Sequence, residues 1–263
     1  MLGKLIKHES KYMFKFLSIF YSLAIVFALL TRLFLNIENS LIFNVIGEIC
    51  SGVTIAMIAN TIINNIIRYW VRFRQTMYGD ESYLTHTLPV AKATIYSSKM
   101  ITGLITMLVS VAVIALSVFI AYYSKANMEM LKAIFDSLGG ALNISVSGII
   151  IVLALVLFLQ YSCLLQNGFT GIILGHKMQG GKIGFSFLFG FIVYSVSQTI
   201  GVLALFITGL FNKDIMEMFN SNNVSSMEAF KTIFVVISIY YAVVVAINFI
   251  VNVKLLKKGV NVE

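Results

Sequence analysis

The chain has 263 residues, 59% of them apolar and only 11% charged, with a mean hydropathy of +0.93. A soluble domain carries about 25% charged residues, so this composition, with 21 Phe, 12 Tyr and one Pro, excludes a soluble enzyme, a disordered chain and a disulfide-stapled secreted domain. The net charge of +8 is spread among apolar runs rather than gathered in a nucleic-acid patch, and the chain reads as an integral membrane protein of all-α class.

The first element is an amphipathic segment over 1–15. On a helical wheel Lys4, Lys7, Lys11 and Lys15 fall within an arc of about 80°, opposite Leu2, Leu5, Ile6, Met13, Phe16 and Leu17. This predicts an interfacial helix with its basic face towards anionic headgroups. It can act as an anchor that sets the entry of the first span, as a lever that touches a cytoplasmic partner, or as both. The first span covers 16–35. No small-residue cleavage site follows it, so it reads as retained rather than as a removed signal.

A second span follows at 41–67. It carries the only acid within the spans, Glu48, with Ser51 one turn further in. An ionisable group at this depth faces protein, water or the interface. Glu48 therefore either snorkels or bonds another span, or it contributes with Ser51 a polar contact in a translocation path. Asn60, Asn64 and Asn65 near the inner end suit interhelical hydrogen bonding. Cys50 and Cys163 fall in apolar stretches at depths about 14 Å apart, too far for a disulfide.

The segment 68–99 is the longest outside the spans. It opens on Arg68, Arg72 and Arg74 and continues through Tyr78 into Gly79-Asp80-Glu81-Ser82-Tyr83-Leu84-Thr85-His86-Thr87-Leu88-Pro89-Val90. Asp80 suits an N-cap, with Glu81 in the first turn. Pro89 disfavours helix at Leu88 and ends the element there. The pattern predicts a two-turn helix exposing Tyr83, Leu84 and Leu88, a docking surface, with a new helix leading from Pro89 into the third span.

The third span covers 100–121. An outer amphipathic helix follows over 124–140, with Leu131, Ile134, Phe135 and Leu138 on one stripe and Lys125/Glu129 and Lys132/Asp136 as i,i+4 pairs. Gly139-Gly140 is expected to end it. The fourth and fifth spans, 144–165 and 183–210, flank a glycine-rich linker. Gly171/Gly175 and Gly180/Gly184 have the small-xxx-small spacing that permits close helix approach. Ser225 and Glu228 form a capping box ahead of the sixth span, 230–251, and a short basic tail closes the sequence.

Lys and Arg set the orientation. With both termini in the cytoplasm, fourteen of the nineteen basic residues lie inside and five (Arg32, Lys125, Lys132, Lys213 and Lys231) outside. Both termini are therefore expected to be cytoplasmic. Catalytic patterns are missing from the sequence. There is no H-E-x-x-H, C-x-x-C or G-x-S-x-G, and no G-x-x-x-x-G-K-S/T phosphate loop, because Gly3-Lys4 and Gly181-Lys182 lack both the upstream glycine and the following hydroxyl residue. No metal, cofactor or enzymatic activity is expected of this chain.

The run 78–90 resembles the first cytoplasmic loop of bacterial ABC transporter permeases of the second exporter type, which have the type V transmembrane fold. The resemblance covers the whole chain as a single six-span permease domain over 1–263. It implies that the loop is a coupling helix, with Asp80, Glu81, Tyr83, Leu84, His86, Leu88 and Pro89 meeting a separate ATPase subunit that binds ATP and Mg²⁺. It further implies a second permease subunit, identical or different, with the fifth span at their interface, and export of an amphipathic peptide, toxin or antimicrobial compound from a bacterial plasma membrane. Two other readings stay open at this point. A gradient-driven secondary transporter would want more acids in the spans than Glu48; the other is a non-transporting membrane scaffold or sensor partner.

Overall fold

Every apolar run of the sequence is helical in the computed structural model, which describes residues 1–37, 40–220 and 227–259. Among the described residues there are nine helices and no strand: α1 (Leu2–Leu35), α2 (Leu41–Met77), α3 (Ser82–Thr87), α4 (Lys92–Tyr122), α5 (Lys125–Leu142), α6 (Val146–Gly175), α7 (Lys182–Phe211), α8 (Lys213–Asn220) and α9 (Met227–Lys257). Helices α1, α2, α4, α6, α7 and α9 are long and apolar enough to cross a membrane. The chain is an all-helical multi-pass membrane protein. A 30-residue helix is about 45 Å long, against a hydrocarbon core of about 30 Å, so each of the six runs past the apolar zone.

By contacts the chain divides into two compact units, Met1–Thr76 with Leu84–Met130, and Met77–Tyr83 with Leu131–Glu263. In the first unit α1 packs along α4. One face of α1 is buried from end to end: Glu9, Met13, Leu17, Tyr21, Ala24, Ala28 and Thr31, at steps of three and four residues. The amphipathic N-terminal segment is continuous with the first span and forms the first turns of α1. The four lysines are exposed as expected, while Glu9 and Met13 on the far face pack into protein. The buried side of α4 is rich in small hydroxyls, and Thr106, Ser110 and Ser117 return theirs to carbonyls of their own helix. Small residues let membrane helices approach where no hydrophobic force drives them together. Polar pairs tie α1, α2 and α4 together: Asn65 Nδ2 donates to Ser110 Oγ at 2.7 Å, Tyr21 Oη meets the same hydroxyl at 2.7 Å, and Thr31 pairs with Thr54 at 3.0 Å. Asn64 and Asn60, in contrast, bond each other within α2.

In the second unit α6 packs on α7 and on α9. A Cβ on Gly171 would lie 2.5 Å from the Cα of Gly190, and one on Gly175 would lie 2.5 Å from the Cα of Ser186. These two glycines seat α6 against a second small pair on α7. Gly180 and Gly184 have open space around them and take no part. Helix α5 continues through Gly139-Gly140 to Leu142 and stops at Asn143, whose φ is 49°. The glycine serves the return of the chain: Ile144 N donates to Gly139 O, and a Cβ at Gly139 would come within 2.9 Å of Ile144 O. Helix α8 has no counterpart in the sequence reading; it packs through the buried Ile215, which lies over Gly209. The Ser225/Glu228 capping box lies outside the described residues.

Candidate functional site

The loop after α2 is shorter than its sequence suggests, because α2 stays helical for ten residues beyond the apolar run, to Met77. Helix α3 then starts at Ser82, so Glu81 immediately precedes it and Asp80 stands two residues ahead of its first turn. Ser82 N donates to Gly79 O at 2.8 Å and closes the turn. The side chain of Ser82 is fully buried. Those of Tyr83 and Leu84 are 65% and 73% exposed, and Leu88 is 41% exposed. An element of six residues cannot hold itself helical in water, and here its two ends are pinned. At the C-terminal end Lys92 Nζ donates to His86 Nδ1 at 2.5 Å across the exposed Pro89. At the N-terminal end Tyr78 is buried and its ring stacks on His176 at 4.2 Å between centroids. Burial pushes the Tyr78 phenol above its usual value of 10, so it stays neutral and serves as a packing surface.

A buried ionic cluster lies within the first unit. Glu9 of α1 accepts from Lys99 Nζ of α4 at 2.6 Å and from Arg72 Nε of α2 at 3.3 Å. Lys99 Nζ also donates to Thr76 Oγ1 at 2.7 Å, and Tyr69 Oη donates to Lys99 O at 2.5 Å. The Arg72 guanidinium lies 3.8 Å from the Tyr12 ring centroid, and that of Arg68 lies 4.2 Å from Phe16. Glu9, Arg72 and Lys99 are all at most 7% exposed. One carboxylate thus holds together the ends of three helices, next in sequence to α3. Charges removed from water persist only when each finds a partner, and a cluster satisfied in this way fixes the spacing of the helices that carry it.

Glu48 and Ser51, read as a polar contact in a path, stand one turn apart on α2. Glu48 is exposed on α2, whereas Ser51 Oγ is bonded to Tyr122 Oη of α4 at 2.6 Å. Arg32 reaches the end of the same helix, donating to Ile120 O at 3.2 Å. Cys50 and Cys163 are buried free thiols. In the second unit the amides of Asn167 and Asn248 pair at 2.9 Å, and Thr170 Oγ1 donates to Asn252 Oδ1 at 2.9 Å. Among the described residues no three His, Cys, Asp or Glu side chains gather as a metal site. Comparisons with models of protein families, with curated proteins and with solved structures find nothing that matches this chain.

Sequence reasoning placed α3 and its outward-facing side chains in the right stretch but missed Glu9. The signal was available: Glu9 is the only acid in the first 37 residues and lies in the middle of the apolar face, opposite the four lysines. An acid in that position requires buried cations, and Arg72 and Lys99 provide them.

Proposed function

We propose that the chain is the membrane-spanning subunit of an ATP-driven exporter in a bacterial plasma membrane. Both termini are cytoplasmic, and the chain has no catalytic site of its own. ATP and Mg²⁺ bind to a separate ATPase subunit that docks on α3, and a second permease subunit completes the translocation unit. The exported molecule is amphipathic, a peptide, toxin or antimicrobial compound. The observation that carries this reading is the combination in α3 of a buried base, Ser82, with Tyr83 and Leu84 held out to water. Large apolar side chains in that position are stabilised by a protein cleft, and the adjoining Asp80 and Glu81 make an anionic membrane surface the poorer partner. The ionic cluster supports the same reading, since it ties the helices on either side of the loop to α1 and can pass a displacement of α3 into the spans.

Burying one Leu or Tyr side chain contributes about 1.5–3 kcal/mol, so losing one weakens association ten-fold or more. The test is affinity purification of the full chain from native membranes, with partners identified by mass spectrometry. Leu84→Asp is expected to reduce the retained ATPase ten-fold or more and to abolish export, while the permease still inserts. Ser82→Ala is the control, because the Ser82 hydroxyl is buried without a hydrogen bond and its removal should change neither. Retention of the ATPase and of export by Leu84→Asp would overturn the assignment.

A further inference from the structure

Helices α6 and α9 are held together at one end and part at the other. The amide and hydroxyl pairs that join them lie at 166–170 and 248–252. Towards the start of α9 the two separate around a groove of about 610 Å³, walled by Val152 and Leu153 of α6, Phe234 and Ile239 of α9, and Leu138 and Leu142 of α5. This is well within the size range of ligand sites, roughly 300–1,000 Å³. Among the described lining residues Lys231 is the only charged one. The one hydroxyl present, that of Ser238, turns back to Phe234 O at 2.7 Å. Water would find no partners along such a wall. Ile239, which lines the groove, is 59% exposed.

Its dimensions select the occupant. The α9 wall runs over 230–239, about 14 Å at 1.5 Å per residue, half of a hydrocarbon core of about 30 Å. It begins in the first turns of α9, where Lys231 stands. Leu138 and Leu142 of α5 also line the groove, and on α5 the exposed Leu131, Ile134 and Leu138 lie opposite its charged stripe, the signature of a helix lying in the membrane interface. The site is therefore one leaflet deep, apolar along its length, with a single cation among the described lining residues, at headgroup level. We propose that it binds an acyl chain of an anionic phospholipid of that leaflet, with the headgroup phosphate on Lys231. The inference is independent of whether the chain exports anything.

The test uses the full chain in phosphatidylcholine nanodiscs containing trace lipid with a photoreactive acyl chain, either phosphatidylglycerol or phosphatidylcholine, with labelled peptides mapped by mass spectrometry. Phosphatidylglycerol is expected to label 149–155 and 230–239 about five-fold more strongly than phosphatidylcholine, the preference that one lysine near a headgroup gives. Lys231→Gln should remove that preference and leave the phosphatidylcholine signal unchanged, and Lys231→Arg should keep it. Ser238→Trp, which fills the groove, should reduce both signals there several-fold. Equal labelling by the two lipids, an unchanged preference in Lys231→Gln, or label spread over all spans in proportion to their exposure would overturn the proposal. So would displacement of the lipid label by an equimolar amphipathic peptide, an outcome that would give the groove to cargo.

Discussion

Glu9 is the residue whose loss the fold should tolerate least. Glu9→Gln would leave Arg72 and Lys99 buried beside each other with no counter-charge, and removing one partner from a buried ionic group costs about 3–5 kcal/mol. The expected result in SDS-titrated unfolding is a loss of that order, and it should shrink when Lys99→Met accompanies the change. A Glu9→Gln protein within about 0.5 kcal/mol of the parent would mean that water reaches the cluster. This residue marks where single-sequence reading runs out. Its position on the apolar face was readable from helical spacing alone. Its partners were not, because they lie 63 and 90 residues further along the chain and nothing local in the sequence pairs them. Asn65 shows the same limit: a buried amide in a span requires a partner, but only the fold supplies Ser110.

At the scale of helices, the four glycines of identical spacing in α6, in α7 and in the turn between them fall into two that bear packing and two that do not. Gly171→Ala would press a methyl group on the backbone of α7, where no flexible side chain can move aside. Overpacking of that kind costs about 1–3 kcal/mol. Gly184→Ala meets nothing within 4 Å and should stay within about 0.5 kcal/mol of the parent. Unfolding titrations of the two variants side by side would check this, and equal losses would contradict the close approach of α6 and α7. The spacing alone could not separate the pairs, since which face of α6 meets α7 is a tertiary fact. Helix ends were misjudged for a related reason. Hydropathy falls where a helix leaves the hydrocarbon, at 67 in α2 and 165 in α6, but the backbone stays helical to Met77 and Gly175 because backbone hydrogen bonding does not depend on the solvent outside.

For the whole molecule, the number of spans was legible from composition, because apolar runs of this length have no other stable use. Orientation rests on the distribution of Lys and Arg and is open to direct measurement. Single cysteines at Asn127 and at Thr85 or Gly180 should behave oppositely towards an impermeant thiol reagent on intact cells, the first labelled and the others protected. The native thiols are buried and should give little background, while labelling at Thr85 would reverse the topology. Helix α2 then acquires a mechanical meaning. From Val53 to Met77 it contains neither glycine nor proline, the residues at which helices bend, so about 36 Å of it moves as one rod. On the proposal that a partner docks at the loop after α2, the ion pair of Arg72 with Glu9 holds the end of this rod nearest that loop, and a displacement there would be carried along it. The first glycine it would meet is Gly52, in the N-terminal half of α2.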